Sequence, residues 1–337
     1  MKKYDKGKIA RVIATWLVTG IMLSVFILDI VTLVIDNRYV SEVPISDETF
    51  TYSTGNDRIH FLNTANSDCI LLESNGRFAM VDSGEGNENP RRKTAYKGYR
   101  DEVINYLKKT ASDENGKVKL DFIVATHMHY DHAGNFTEII NRPDIEIGCA
   151  YIKEYDVSSV SELEKEDWGN EQMYEDIIEA LKKKNIPIIS DIPNTDFNFG
   201  DFTLKFFNTV TPEDLKGNGE NANSLGLKIT KGEKSAFLAA DFTASTGLED
   251  RYAEEIGDID LLKIGHHGYY GSSSASFLRV LKPETAICTN QIGKIYPNVK
   301  WNLTMVAKVP VFSTAHRNGI IATFTDENEI VLTQNIM

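Results

Sequence analysis

Three cysteines are too few, and odd in number, for a disulfide framework. Cys69, Cys149 and Cys288 all sit in apolar, strand-like stretches and read as free buried thiols. Basic side chains are in deficit. The 337 residues carry 36 Lys and Arg against 49 Asp and Glu, a net charge of −13. Residues 39–337 hold 30 of the basic and 46 of the acidic side chains, a net of −16. A domain of that sign does not attract nucleic-acid phosphates at long range, so a nucleic-acid partner would need a local basic patch. Internal repeats and long low-complexity tracts are absent. Histidine is scarce: seven in all, and none from 133 to 265.

What is present begins with one long apolar run. Lys2, Lys3, Lys6, Lys8 and Arg11 precede Val12 to Ile35, 24 mostly apolar residues. As a helix the run spans about 36 Å, enough to cross a bilayer. Asp36, Glu42, Asp47 and Glu48 follow it, and this charge order predicts an inside N-terminus. A cleaved signal peptide is the rival, but no Ala-x-Ala site follows, so an uncleaved signal anchor is expected. The expected organisation is a cytoplasmic basic tail (1–11), a single-pass membrane helix (12–35), a polar linker (36–57) and an extracytoplasmic domain (58–337).

Within that domain, short strand-like and helix-like stretches alternate, which indicates the α/β class. Asn75-Gly76 between two such strands marks a hairpin turn. The charged stretch Glu162 to Lys184 predicts one long helix with a solvated face. His60, inside a strand, reads as structural. Leu120 to Ala125 reads as a buried strand, and it ends in Thr126-His-Met-His-Tyr-Asp-His-Ala-Gly134. Three of the seven histidines and a carboxylate thus fall within residues 127–132. Imidazole with carboxylate suits zinc or a similar divalent ion. The alternate spacing of His127 and His129 sends two side chains to one point. Asp131 and His132 point to a second, as a two-metal centre requires. Asp241 closes the apolar strand Ala236 to Ala240, where an isolated carboxylate is costly unless paired or metal-bound.

The H-x-H-x-D-H of residues 127–132 resembles the signature of the metallo-β-lactamase superfamily, and the resemblance runs from about Arg58 to the end. It implies a four-layer αββα sandwich and assigns further roles. Asp82, before Ser83-Gly84, would orient a metal-binding histidine. Asp241 would bridge two ions, and His266 in Gly265-His-His-Gly268 would be the last histidine ligand, with His267 beside it or facing substrate. A further family histidine is missing; Asn221-Ala-Asn-Ser-Leu225 occupies that stretch, with Asn223 as a weak ligand or substrate contact. Metal one would then have His127, His129 and Asp241. Metal two would have Asp131, His132, Asp241 and His266. Two divalent ions are expected, zinc first and manganese as the alternative. Gly265 to Ser274 also reads as an anion pocket, with Ser272 among its hydroxyls.

Two branches of the superfamily look similar. Phe61-Leu-Asn-Thr-Ala-Asn-Ser-Asp68, Asn223-Ser-Leu225 and Gly265-His-His-Gly268 resemble the C-terminal domain of the DNA-uptake protein ComEC. Tyr151-Ile-Lys-Glu-Tyr155, Trp168 and Ile256-Gly-Asp-Ile-Asp260 resemble the phosphorylcholine esterase domain of bacterial cell-surface proteins. Both imply phosphodiester chemistry. The resemblance implies attack by a hydroxide held between the ions and positioned by Asp131. His267, Tyr269 or Tyr270 would assist the leaving group. Trp168, Tyr155, Tyr269 and Trp301 would offer faces to a quaternary ammonium. The function expected is a membrane-anchored hydrolase of small or cell-envelope phosphodiesters. The alternatives are a ComEC-like nuclease and a non-catalytic surface binding module that kept the fold.

Overall fold

The computed structural model describes residues 6–40, 57–87, 97–316 and 318–337. The chain divides into two units, Met1–Glu42 and Val43–Met337. In the first, one helix runs Lys6–Val40. Its Lys6–Val31 segment is the one helix among the described residues that is long and apolar enough to cross a membrane. It starts earlier than Val12 because nothing in Lys6 to Arg11 breaks a helix. Most of the expected linker lies outside the described residues.

The second unit is built on two sheets. The order of the first is Ile330–Gln334, Ile320–Phe324, Asp57–Phe61, Cys69–Ser74, Arg77–Ser83, Ile123–Ala125, Ala150–Ile152 and Ile188–Ile189. The order of the second is Val311–Ser313, Thr285–Cys288, Leu261–Lys263, Lys234–Leu238, Gly226–Lys231, Phe202–Phe207 and Phe197–Phe199. Period-two alternation assigns each strand's two faces to different layers. Leu71 and Met80 face the helices Arg100–Ala111, Phe136–Asn141 and Asn170–Lys183. Ile70, Leu72 and Val81 face the second sheet, where they meet Leu204, Phe206, Leu238 and Leu261. Phe237 and Leu262 point the other way, onto Leu248–Ile256 and Ala275–Leu281. Three apolar clusters therefore fill three interlayer spaces, and the chain is a four-layer αββα sandwich. Asn75 and Gly76 have φ of 50° and 72°, which fits the two-residue hairpin read from the sequence.

Each sheet carries a parallel run: Arg77–Ser83 with Ile123–Ala125 and Ala150–Ile152, and Lys234–Leu238 with Leu261–Lys263, Thr285–Cys288 and Val311–Ser313. Ligand sites in α/β sheets form beyond the carboxyl ends of such strands. Asp82, the Thr126–His132 loop, Asp241 and His266-His267 all sit there.

Two element expectations need correction. The Glu162–Lys184 stretch is two helices, Glu162–Asp167 and Asn170–Lys183, separated at Gly169 with φ of 64°. Its charge run also hides a buried acid, Glu164. The apolar pattern of Ile145 to Ile152 predicts a single strand, and the structure has two. A Cβ on Gly148 would lie 2.3 Å from Asp121 O, and the chain turns there, so that Ile145–Ile147 pairs with Val118–Leu120 in a separate two-stranded sheet while Ala150–Ile152 joins the first sheet.

Candidate metal centre

Four turns deliver the polar groups. Asp82, Ala240, His266 and His267 all hold left-handed backbone, with φ between 43° and 55°. Such geometry is costly for non-glycine residues and is kept where surrounding structure enforces it. Gly265 has no room for a side chain, since a Cβ would lie 2.1 Å from Phe242 O.

Two donor groups converge. His127, His129 and Asp241 form one; His132, His267, Asp241 and Asp68 form the other, with the donor atoms of each group within 4.8 Å of one another. Asp241 belongs to both. Its Oδ2 is 3.6 Å from His127 Nε2 and its Oδ1 3.1 Å from His132 Nε2. Its Oδ1 is buried without a hydrogen-bond partner. Asp131 reaches the second group, Oδ2 3.6 Å from His267 Nε2. Buried imidazole nitrogens and carboxylate oxygens gathered in this way match the donor set of zinc or manganese sites, so the residues fit a pair of divalent cations.

Partners behind the histidines fix which nitrogen faces inward. Asp82 Oδ2 takes His132 Nδ1 at 2.7 Å, and its two oxygens accept from Thr126 N and Oγ1 at 2.8 and 2.7 Å. Asp68 Oδ1 lies 3.2 Å from His267 Nδ1 and accepts from Thr289 Oγ1 at 2.6 Å. Its other oxygen pairs with Lys263 Nζ, which also donates to Ala240 O at 2.9 Å. Both Asp68 and Lys263 are fully buried. On the other side, Glu164 Oε1 takes His129 Nε2 at 2.8 Å, which leaves His129 Nδ1 facing inward, 3.1 Å from His127 Nε2. Glu164 also closes a capping box with Ser161 and accepts from Glu220 N at 2.9 Å. His127 Nδ1 has only hydroxyls, Thr126 Oγ1 at 3.1 Å and Ser224 Oγ at 3.4 Å.

The electrostatics follow from burial and pairing. Burial pushes Asp241 up, but His132, His266 and His267 outweigh it and hold the carboxyl well below its usual range. Burial depresses His132, but Asp241 and Asp82 outweigh it and hold the ring well above its usual range. His127 lacks such support, and burial drives it well below. Glu164 resists burial through its bond to His129 and sits at about 2.

The structure rearranges part of the expected site. His266 was expected as the ligand and His267 beside it, and the geometry exchanges them. His267 is fully buried, with Nε2 3.1 Å from His132 Nε2; the His266 ring is partly exposed, its Nε2 3.8 Å from Asp241 Oδ2 and 3.3 Å from Asn221 Nδ2. Tyr269 packs its ring against His266 at 5.4 Å. Tyr270 is two-thirds exposed and packs on Tyr296. Asn223 is used elsewhere: it donates to Ser159 and Glu220 and accepts from Thr211. Ser272 Oγ donates to Tyr269 O within its own turn. Of the four expected aromatic faces, Trp168 packs against His129 and Tyr155 stacks on Tyr174, while Trp301 lies half-exposed on Pro297–Trp301.

Sequence reading missed Asp68, Lys263 and Glu164 as parts of the site. Two of them carried a signal. A lysine inside the apolar Leu261-Leu-Lys-Ile264 needs a buried anion, and Ser161-x-x-Glu164 is a capping-box pattern.

Curated relatives are similar over part of their length. "ComE operon protein 3" of Bacillus subtilis is 25% identical over 181 residues, 51% of this chain and 20% of that protein. "Recombination protein 2" of Haemophilus influenzae is 27% identical over 111 residues, 33% of this chain and 13% of that protein. The chain thus spans a fifth or less of the length of these relatives. Among solved structures, the metallo-beta-lactamase fold protein YhfI from Bacillus subtilis gives a TM-score of 0.48 at 14% identity, covering 79% of this chain and 99% of that one. Zn(2+)-bound PqqB from Methylobacterium extorquens gives 0.45 at 10%, covering 75% and 86%. Residues 62–289 match the family described as the metallo-beta-lactamase superfamily, and that span holds Asp82, the His127–His132 loop, Asp241 and His267, so the chain belongs to that superfamily.

Proposed function

We propose that this chain is a membrane-anchored, two-metal phosphodiesterase whose hydrolase domain lies outside the cytoplasmic membrane and acts on cell-envelope phosphodiesters. One observation carries the reading: two donor groups share Asp241, so one carboxylate spans two cation positions. When bound, two divalent cations supply Lewis acidity and lower the pKa of water toward about 7, as in-line displacement at phosphorus needs. His127, His129 and Asp241 would hold the first; His132, His267, Asp131 and Asp241 the second.

The protein's own groups do the rest. Asp82, Asp68 and Glu164 fix ring tautomers so that lone pairs face the centre. His266 sits at the mouth, with Nδ1 buried but without a hydrogen-bond partner. His266 would hand a proton to a leaving oxygen, a role expected of His267, Tyr269 or Tyr270. The membrane reading rests on Lys6–Val31, and the outward orientation on the basic residues before it.

A second reading has one observation in its favour. A relative named "Recombination protein 2" suggests action on nucleic acid, against which the net charge of −16 over residues 39–337 weighs.

The test is metal content by elemental analysis with turnover of bis-p-nitrophenyl phosphate. Two ions per chain with turnover support the proposal, and Asp241→Ala should lose both ions and turnover together. Wild-type protein that takes up neither Zn²⁺ nor Mn²⁺ would leave a binding module. Cleavage of DNA with no action on small diesters would favour the nuclease.

A further inference from the structure

A cavity of about 360 Å³ opens beside the first donor group, bordered by His129, Trp168 and His266. Among the described residues lining it there is no Lys or Arg. The one carboxylate, Glu164, already accepts from His129, Ser161 and Glu220. The remaining polar groups are uncharged amides and hydroxyls, including Asn218, Asn221, Thr243 and Ser245. Such a wall has nothing to neutralise a second phosphate. It also offers Trp168 as its only described aromatic, where a quaternary ammonium is held by several ring faces.

Asn221 sharpens the point. Its Nδ2 donates toward His266 Nε2 at 3.3 Å, and its Oδ1 is buried with no hydrogen-bond partner. With His266 Nε2 accepting, the ring proton belongs on Nδ1, the second unpartnered atom at this place. One buried acceptor and one buried donor without a protein partner therefore belong to residues that line the cavity. An unpaired buried polar atom costs about 1–3 kcal/mol, so a pair of opposite type selects a ligand group that both donates and accepts. A hydroxyl does both. The indole of Trp168 adds an apolar face of the kind that, with a few placed polar groups, makes a small-molecule pocket.

We infer that this cavity is the subsite for an uncharged, hydroxyl-bearing arm of the phosphodiester, a sugar or polyol. The inference rests on the phosphodiesterase reading for the placing of phosphorus at the donor groups. Recognition would come from Asn221 and Trp168.

The experiment uses the full chain in detergent micelles with Mn²⁺ present. Binding of glucose 1-phosphate, glycerol 1-phosphate, phosphorylcholine and inorganic phosphate is followed by tryptophan fluorescence. Trp168→Phe identifies which of the three tryptophans reports. One or both of the first two ligands should bind about tenfold or more tighter than inorganic phosphate, a difference of about 1.4 kcal/mol. Asn221→Ala should remove that advantage while inorganic phosphate binds as before. Tighter glucose 1-phosphate marks a sugar on the indole; equal affinities mark a polyol. Phosphorylcholine binding as tightly, or an advantage that survives Asn221→Ala, overturns the subsite. Hydrolysis of p-nitrophenyl diesters is measured separately. Sugar-phosphate binding without any hydrolysis removes the reaction class and keeps the subsite. Hydrolysis without preference for a hydroxylated arm does the reverse.

Discussion

The Nε2 atoms of His132 and His267 stand 3.1 Å apart, while each ring's Nδ1 is engaged by a different aspartate, Asp82 and Asp68. With both Nδ1 atoms turned toward carboxylates, the two Nε2 atoms face one another across the centre, an arrangement that a cation held between them would stabilise. His266 differs: its Nε2 meets the Asn221 amide at 3.3 Å, and Asp241 Oδ2 stands farther off at 3.8 Å. The two adjacent histidines should therefore separate in experiment. His267→Ala is expected to lower bound metal from two ions per chain to one. His266→Ala is expected to keep both and lower kcat, by about 10²–10⁴-fold as for a lost proton donor. Elemental analysis beside kinetics decides it, and loss of an ion from His266→Ala would return that residue to the ligand set.

Asp82 bonds directly to His132 and reaches His127 only through Thr126 Oγ1. Asp82→Ala should weaken metal binding at the second position about 10–100-fold and at the first by less. Competition with a chelator of known affinity reads both positions, and equal weakening of the two would contradict the assignment.

Glu164 does for His129 what Asp82 does for His132, from the other side. Glu164→Ala should weaken the first position by a similar 10–100-fold and leave the second unchanged. The same chelator competition, run on both variants, should give opposite patterns.

Lys263 and Asp68 form a buried ion pair behind His267. Lys263→Met leaves the Asp68 carboxylate without its cation, and breaking such a pair costs about 3–5 kcal/mol. Denaturant unfolding of metal-free protein measures this directly. A loss below about 1 kcal/mol would mean that Thr289 and His267 suffice to hold Asp68.

His60 makes a prediction away from the metal centre. Its Nδ1 accepts from Tyr106 OH at 2.8 Å and its Nε2 donates to Glu73 at 3.0 Å, which is the neutral ring. Burial lowers its pKa below the ordinary 6.5, against the pull of Glu73. The unfolded chain therefore takes up this proton first as pH falls. The stabilisation is present above about pH 6.5 and is lost as pH drops through the lower folded value, at about 1.4 kcal/mol per unit of difference. Stability of His60→Gln should fall less steeply than wild type between pH 6.5 and 5; parallel curves would refute the neutral ring.

The sequence by itself determined the α/β class, the apolar helix, the hairpin at Asn75-Gly76 and the loop that carries His127, His129, Asp131 and His132. Each rests on local physics: period, turn chemistry, or donors packed into six consecutive residues. Asp241 was legible too, because a carboxylate closing an apolar strand asks for a partner. Tertiary structure alone decided the rest. His266 and His267 are adjacent and chemically equal, and only the left-handed turn and the distant Asp68 select which ring goes inward. Asp68, Lys263 and Thr289 meet because the start of the antiparallel strand Cys69–Ser74 in one sheet faces the carboxyl ends of the parallel strands Leu261–Lys263 and Thr285–Cys288 in the other, a closeness no local spacing encodes. Glu164 looked like one charge among many on a solvated helix. The break at Gly169 and the bonds from His129 and Glu220 make it part of the site.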